Sequence, residues 1–354
     1  MSPPFAKWGG MTVHQNTFNP FEFTALRYKG TVIKHVLPKI IFFVIYTAIL
    51  VAAHELIDEI NLFIPNSLVL ILNSSISLLL VFRTNTAYDR YWEGRKIWST
   101  MTTAIRNLVR LLLVNIPGDT DELKLQKMSV IDLLIAYPIA TKHYLRQEYG
   151  PDYDDLREKL RYIPEYSTPS ALNSTGTRAR PSMDLDRGTN LPLDIKMYIS
   201  SFIKHQQNKG RLNIPLGTQL LANLNILISC LNGFERILQT PIPLAYSIHL
   251  SQIVWAYCLF LPFQILGSYS TNSPGYHWIS IPVMAVIVFT FFGVINIGEE
   301  IENPFGYDYN DLPLDDFCQV IEEEIRSLTS FSPPSIKSWE LSNDQVKPSH
   351  TGAT

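Results

Sequence analysis

Side chains that could bind an ion crowd into residues 299–316, within the segment NIGEEIENPFGYDYNDLPLDDF. Its carboxylates and one amide are Glu299, Glu300, Glu302, Asp308, Asn310, Asp311, Asp315 and Asp316. Ca²⁺ is held by about six to eight oxygens from carboxylates, amides and backbone carbonyls, so a calcium site in this segment is chemically conceivable. The spacing differs from that of an EF-hand, which needs a Gly and a closing Glu at fixed offsets. A solvated acidic turn is the competing interpretation.

A second group of polar side chains lies inside the uncharged apolar stretch 64–82. Its amides and hydroxyls are Asn66, Ser67, Asn73, Ser74, Ser75 and Ser77. Polar residues within a membrane generally face the interior of a helix bundle or a water-filled cavity. Two interpretations follow, and both stay open. Small hydroxyl residues let helices pack closely and hydrogen-bond to one another, or the same residues line a pore.

Ser74, Leu78 and Phe82 recur at i, i+4 and i+8 and therefore share one face of a helix. We call this face the 74/78/82 stripe. Rings of apolar side chains around a channel form a constriction that gates by losing its water. If several copies of the helix surround an axis, the stripe predicts the neck of a pore. Ordinary contact with lipid or with another helix is the alternative.

Basic and aromatic residues follow the stripe directly in FRTNTAYDRYWEGRKIW, residues 82–98, with no helix breaker at the junction. The basic residues are Arg83, Arg90, Arg95 and Lys96. We predict that some of them pair with Asp89, Glu93 or the acidic segment. The others would add positive potential at the inner mouth of a pore.

Catalytic motifs are missing from the sequence, which has no GxSxG, HExxH or GxxxxGK[ST] pattern. The histidines are scattered, and Cys230, Cys258 and Cys318 are far apart with no CxxC pair. We therefore expect that the protein is not an enzyme. The net charge of −3 provides no basic excess to neutralise phosphates, so a nucleic acid is not expected as a partner.

The elements that must position these residues are helices, most of them in a membrane. Only 17% of the residues are charged, against about 25% in soluble domains. Four apolar segments approach the roughly 20 residues that a membrane-spanning helix needs: 36–53, 64–82, 250–267 and 278–297. The connections within each pair of segments lack Lys and Arg, whereas the N-terminal arm and the middle region contain many. The positive-inside rule then predicts that both termini and the middle region are cytosolic.

The predicted organisation is all-α, with four transmembrane helices continuous with a cytosolic helical region. The expected parts are a cytosolic arm (1–35), two spans (36–82), a helical region (83–243), two further spans (244–297), a cytosolic segment (298–329) and a flexible tail (330–354). Residues 167–190 are rich in Ser, Thr, Pro and Gly and predict a flexible loop. The N-terminus lacks a secretory signal, which favours the plasma membrane over an organelle membrane.

Three motifs of this sequence resemble those of the bestrophin family of anion channels, in particular its bacterial, fungal and plant branch. They are FRTNTAYDRYWEGRKIW (82–98), LQTPIPLAYSIHLSQ (238–252) with LPF (261–263), and ENPFGYDYNDLPLD (302–315). LRYKGTVIK, residues 26–34, is similar to the N-terminal arm of that family. The resemblance covers residues 16–328.

This resemblance implies a homopentamer in a lipid bilayer with one axial pore for chloride and other small anions. The family's neck residues map onto Ser74, Leu78 and Phe82, and a second constriction is expected near Ile214, Leu216 and Leu220. The residue matching Ser74 is usually apolar in the family. A secondary anion transporter and a non-conducting membrane scaffold are the alternative functions.

Animal members of the family bind Ca²⁺ in the acidic segment after their last span. Their nearly continuous acidic run maps onto residues 307–311, where only Asp308 and Asp311 keep a carboxylate. We therefore expect no cofactor. Calcium held by Asp308, Asn310 and Asp311, with backbone oxygens, is the alternative.

Overall fold

The computed structural model describes residues 30–56, 66–116, 120–164, 166, 190–268 and 276–331. The α-helices are α1 (Ile33–Leu56), α2 (Asn66–Asn115), α3 (Asp121–Leu145), α4 (Asp154–Leu160), α5 (Leu191–Asn208), α6 (Ile214–Gln239), α7 (Leu244–Ser268), α8 (Ser280–Glu302) and α9 (Leu314–Thr329). A short 3₁₀ helix, Tyr276–Ile279, precedes α8. These residues contain no strand, so the predicted all-α class is confirmed for the described part of the chain. The predicted loop 167–190, apart from Asn190, and the tail beyond residue 331 lie outside it.

Within the described ranges, five helices are long and apolar enough to cross a membrane by length and composition. They include the four predicted spans, which correspond to α1, the first part of α2, α7 and α8. The fifth is α6, which lies within the predicted cytosolic helical region 83–243. Pro38 inside α1 and Pro262 inside α7 do not end their helices.

The chain divides into two compact units. The span unit contains the described residues 30–99 and 230–313, and the helical unit contains 100–229 and 314–331. The division falls within α2 and within α6, so each of these helices contributes to both units. α2 continues without interruption through Phe82 and Arg83, as the missing helix breaker predicts.

In the span unit, α1 packs against α7 and α8 around aromatic side chains. The ring of Phe43 lies 5.2 Å from Trp255 and 6.1 Å from Phe292, measured between centroids. Ile76 and Leu80 of α2 are buried in the same cluster. This burial fixes which face of α2 is turned inward.

In the helical unit, α3 packs against α4, α5 and α9. Thr120 caps α3, with its hydroxyl accepting a hydrogen bond from the Leu123 amide at 3.4 Å. The amphipathic helix α9 buries Leu314, Cys318, Ile321 and Ile325, which recur at helical spacing. An ionic cluster then joins α3, α4 and α9 through the buried Lys142, whose ammonium lies 2.7 Å from carboxylates of both Asp155 and Asp315.

Candidate functional site

One face of α2 is buried and anchors the helix in the span unit. Between residues 69 and 98, its buried residues are Val69, Ile76, Leu80, Arg83, Ala87, Gly94 and Trp98. They recur every three to four residues, or at seven, and so form a single stripe along the helix. The opposite face must therefore be turned away from the rest of the unit.

The 74/78/82 stripe lies on that opposite face. Leu78 is 58% exposed and Phe82 is 57% exposed, and Ser74 is exposed as well. Large apolar side chains in this state require lipid or another protein chain to cover them. The structure thus brings the three predicted neck residues together on one accessible surface.

The serine hydroxyls of α2 bond within their own helix. Ser74 and Ser75 donate to the Ile71 carbonyl at 2.8 and 3.0 Å, and Ser77 donates to Asn73 at 2.8 Å. This is a common way for hydroxyls to be satisfied inside an apolar helix. All three acceptors belong to α2 itself, so these hydroxyls do not donate to another helix of the same protomer.

Arg90 points away from the stripe and holds two helix ends. Its Nε donates to the Glu302 carbonyl at 3.0 Å and one terminal nitrogen donates to the Ile237 carbonyl at 2.6 Å. The other terminal nitrogen donates to the Thr240 carbonyl. The last carbonyls of a helix have no partner inside it, and α6 and α8 end at Gln239 and Glu302. One guanidinium therefore satisfies acceptors at the ends of both.

Arg83 is also turned inward, and its side chain is only 3% exposed. One terminal nitrogen lies 3.6 Å from Glu299 and 3.8 Å from Glu302, so this cation pairs with the acidic segment. A side chain at Gly298 would lie against the Arg83 guanidinium, at 3.5 Å from Nε. Because a buried charge is costly unless it is paired, we assign Arg83 a structural role rather than one on the stripe.

The other charged residues of the basic segment behave differently from one another. Glu93 pairs with Arg236 of α6. Asp89 is exposed and has no hydrogen-bond or ion-pair partner among the residues that the structure describes. Arg95 is half-buried and Lys96 is exposed.

Two of the family-like motifs pack against each other. A Cβ at Gly94 would lie 3.1 Å from the ring of Phe305, so only glycine allows this approach without a shift. The rings of Trp98, Phe234 and Phe305 form a chain with centroid separations of 5.8 and 5.6 Å. These contacts hold the segment after α8 against α2.

The residues expected near a second constriction do not share one surface. Ile214, the first residue of α6, is 79% exposed, whereas Leu220 is fully buried. Leu216 is half-buried, and its amide donates to the Asn213 side chain at 3.0 Å. Of the three, Ile214 has the side chain that is best placed to meet another molecule.

The candidate calcium ligands form a hydrogen-bonded turn. The Asp311 carboxylate accepts from the Asp308 amide at 2.8 Å, and the Asp311 amide donates to the Asp308 carbonyl at 3.0 Å. The side-chain nitrogen of Asn310 donates to Glu300 at 2.9 Å and to the Gly30 carbonyl at 3.3 Å. Over the described ranges, no group of three or more His, Cys, Asp or Glu residues is arranged to hold a metal ion.

The chain is similar to a known protein family and to named relatives. A family model described as Bacterial/Fungal Bestrophin protein matches residues 11–327. Two similar relatives are named voltage-dependent anion channel-forming proteins. The one from Nostoc sp. is 40% identical over 75% of this chain and 78% of its own length, and the one from Synechocystis sp. is 38% identical over 73% and 76%.

Among solved structures, the chain is similar to a bacterial bestrophin homologue from Klebsiella pneumoniae. The match has a TM-score of 0.68 and 25% sequence identity. It covers 84% of this chain and all of the other.

Proposed function

This chain belongs to the bacterial/fungal bestrophin family, and from that premise we propose that five copies surround an axis and form a channel for small monovalent anions, chloride among them. The observation that carries the proposal is the 74/78/82 stripe, whose apolar members are exposed in the single protomer. Assembly with α2 innermost would turn these residues into the neck of the pore. The names of the Nostoc and Synechocystis relatives support the choice of anions.

The proposed neck contains no fixed charge. An anion that enters it loses hydration, and hydroxyl groups and the positive edges of aromatic rings offset part of that cost. Conduction requires weak sites, because an ion that binds tightly leaves slowly. Pairing Arg83 with Glu299 and Glu302 keeps the nearest guanidinium off the stripe, which suits rapid passage.

The Ser74 hydroxyl would have to change its hydrogen bond when an anion passes. In the structure it donates its hydrogen to the Ile71 carbonyl, so it offers an anion only its oxygen lone pairs. Rotation about χ1 would let it donate to the ion instead. The exchange of one acceptor for another gives a weak and transient site.

We propose that α1, the first part of α2, α7 and α8 cross the membrane. An even number of spans returns the chain to its starting side, so four spans keep both termini and the middle region in the cytosol, in agreement with the distribution of Lys and Arg. The remaining candidate, α6, exposes the polar residues Gln219, Asn225 and Asn232. Amides on a lipid-facing surface are unfavourable, so we assign α6 to the cytosolic part. The membrane that holds the channel is proposed to be the plasma membrane.

Reconstitution of the purified chain into planar bilayers tests this function. Under a KCl gradient, unitary currents should reverse near the chloride equilibrium potential. Reversal near the potassium potential would overturn the anion selectivity, and saturable flux without unitary currents would indicate a transporter. Light scattering of the detergent-solubilised protein should give the mass of five copies. A monomer without permeation activity would instead support the scaffold alternative.

A further inference from the structure

The exposed face of α2 continues beyond the proposed neck. Asn85, Asp89, Trp92 and Lys96 extend the spacing of the 74/78/82 stripe by steps of three and four residues, and all four are exposed. The first acidic residue met on this face is Asp89. Seven residues separate it from Phe82, which is about 10 Å along an α-helix.

Asp89 carries a charge that its own helix does not neutralise. The positions three and four residues away hold Asn85, Thr86, Trp92 and Glu93, and none of these is basic. A cation at such a position would have formed the usual pair on a helix surface. The adjacent Arg90 is engaged elsewhere, with its three donor nitrogens on backbone carbonyls of other segments.

Other carboxylates around α2 are paired with arginine. Glu93 contacts Arg236, and Glu299 and Glu302 both contact Arg83. In the part of the chain that the structure describes, Asp89 has no such contact. The negative charge of Asp89 therefore acts on the space or the molecule next to the exposed face of α2.

We propose that Asp89, repeated in each copy, forms an acidic ring at the inner end of the neck and sets how strongly the channel discriminates anions from cations. This inference rests on the proposed function, because the ring exists only if α2 surrounds a pore. The ring lowers the local concentration of anions at the inner mouth and raises that of cations. Asp89 thus opposes the anion preference and limits the anion current.

Ionic strength gives this inference a quantitative signature. The Debye length is about 10 Å at 0.1 M salt and about 3 Å at 1 M. The distance from Asp89 to Phe82 along the helix is also about 10 Å. The field of the ring therefore reaches the neck at the lower concentration and is screened at the higher one.

The experiment compares the wild-type channel with Asp89→Asn in bilayers under a KCl gradient. At about 0.1 M salt, the variant should carry at least about twofold more anion current, and its reversal potential should lie closer to the chloride potential. At about 1 M the two channels should converge. Asp89→Glu keeps the charge and should match the wild type. Asp154→Asn, which removes an exposed carboxylate from the first turn of α4, is the matched control and should have no effect.

Equal currents and reversal potentials for wild type and Asp89→Asn at the lower salt would overturn the ring. A difference that persisted undiminished at the higher salt would also overturn it, since it would reflect altered structure rather than charge. The wild type alone provides a second test if the variant does not assemble, because its anion preference should rise with salt. A salt-independent preference contradicts the inference. If the channel conducts and selects anions but fails these tests, the acidic ring alone is contradicted. If the chain gives no unitary currents, the proposed function and the ring are both contradicted.

Discussion

Arg90 and Glu302 are joined by a hydrogen bond from the guanidinium Nε to the backbone carbonyl, 3.0 Å long. The carboxylate of Glu302 serves two further groups, accepting from the Ile242 amide at 3.0 Å and lying 3.8 Å from Arg83. The C-terminus of α8 is therefore attached to α2 at two levels and to the segment before α7. These attachments fix the position of α2 within the span unit just beyond Phe82.

Replacing Arg90 with Lys should lower the thermal midpoint of the detergent-solubilised protein. An ammonium cannot reach three carbonyls in the geometry of a planar guanidinium, and two of the three, those of Ile237 and Glu302, are partly buried. We expect a loss of about 2 kcal/mol in the free energy of unfolding. Arg106→Lys is the control, because Arg106 forms an exposed pair with Glu324 and surface pairs contribute about 0–1 kcal/mol. Equal midpoints for both variants would contradict this role for Arg90.

Phe82→Ala should change single-channel conductance or gating. Removal of the ring widens the apolar constriction and makes it easier to hydrate, so we expect a higher conductance or more frequent openings. Phe289→Ala of α8 is a matched control, since Phe289 is 44% exposed on another candidate span. Currents of the Phe82 variant that were indistinguishable from the wild type would refute the neck assignment.

The sequence predicts the faces of helices better than it predicts their partners. The spacing of Ser74, Leu78 and Phe82 marks a face that the structure leaves exposed, and the apolar spacing in α9 marks a face that it buries. The acceptors of Arg90 are different, because a backbone carbonyl at a helix end has no side-chain signature. Only the assembled unit brings Ile237, Thr240 and Glu302 to one guanidinium.

Closeness in sequence also does not show which residues share a surface. Leu220 and Ile214 are close in sequence, yet one is buried and the other is exposed, because tertiary packing selects the inward face of α6. Likewise, α6 satisfies the length and composition of a span, while its exposed amides become evident only from its packing. The attraction between the basic segment and the acidic segment, by contrast, could be predicted from their opposite charges, and Arg83 lies beside Glu299 and Glu302.

Substituting Ser74 with Val should reduce anion conductance. The change removes the one hydroxyl of the 74/78/82 stripe and makes the outer end of the proposed neck apolar, which disfavours water. Ser77→Val is the matched control, because Ser77 makes the same kind of bond, to Asn73, but lies off the stripe. A similar reduction in both variants would indicate a general effect on the helix rather than a site at Ser74.

Acid should destabilise the helical unit through the ionic cluster around Lys142. Burial by itself would raise the pKa of Asp315, but hydrogen bonds from Lys142 and Arg146 outweigh it and hold the pKa below its ordinary value. Asp155 behaves in the same way, with Lys142 and His143 as its donors. A carboxylate with a lowered pKa stabilises the fold above its unfolded pKa, which is about 3.9 for Asp, and this contribution is lost as the pH falls further.

The thermal midpoint of the wild type should therefore decline as the pH falls below about 4. Asp315→Asn should have a lower midpoint at neutral pH and a flatter decline in acid, because the titrating group is gone. Asp121→Asn is the control, since Asp121 forms only an exposed pair with Lys124. Circular dichroism at a series of pH values measures these midpoints. Parallel pH profiles for wild type and Asp315→Asn would exclude this carboxylate as a source of the acid sensitivity.

Channel activity should not depend on calcium. Two carboxylates supply at most four oxygens, fewer than the roughly six to eight that Ca²⁺ usually requires. In addition, the Asp311 carboxylate accepts from the Asp308 amide and the Asn310 side chain directs its nitrogen to Glu300. Unitary currents recorded with a calcium chelator should equal those recorded with about 1 mM Ca²⁺.

Asp308→Asn should likewise leave the currents unchanged, because the exposed Asp308 carboxylate is not the group that closes the turn. Asp311→Asn, which weakens that turn, should lower the thermal midpoint to the same extent with and without calcium. A chelator that silenced the channel, together with loss of that response in Asp308→Asn, would instead identify this turn as a calcium site.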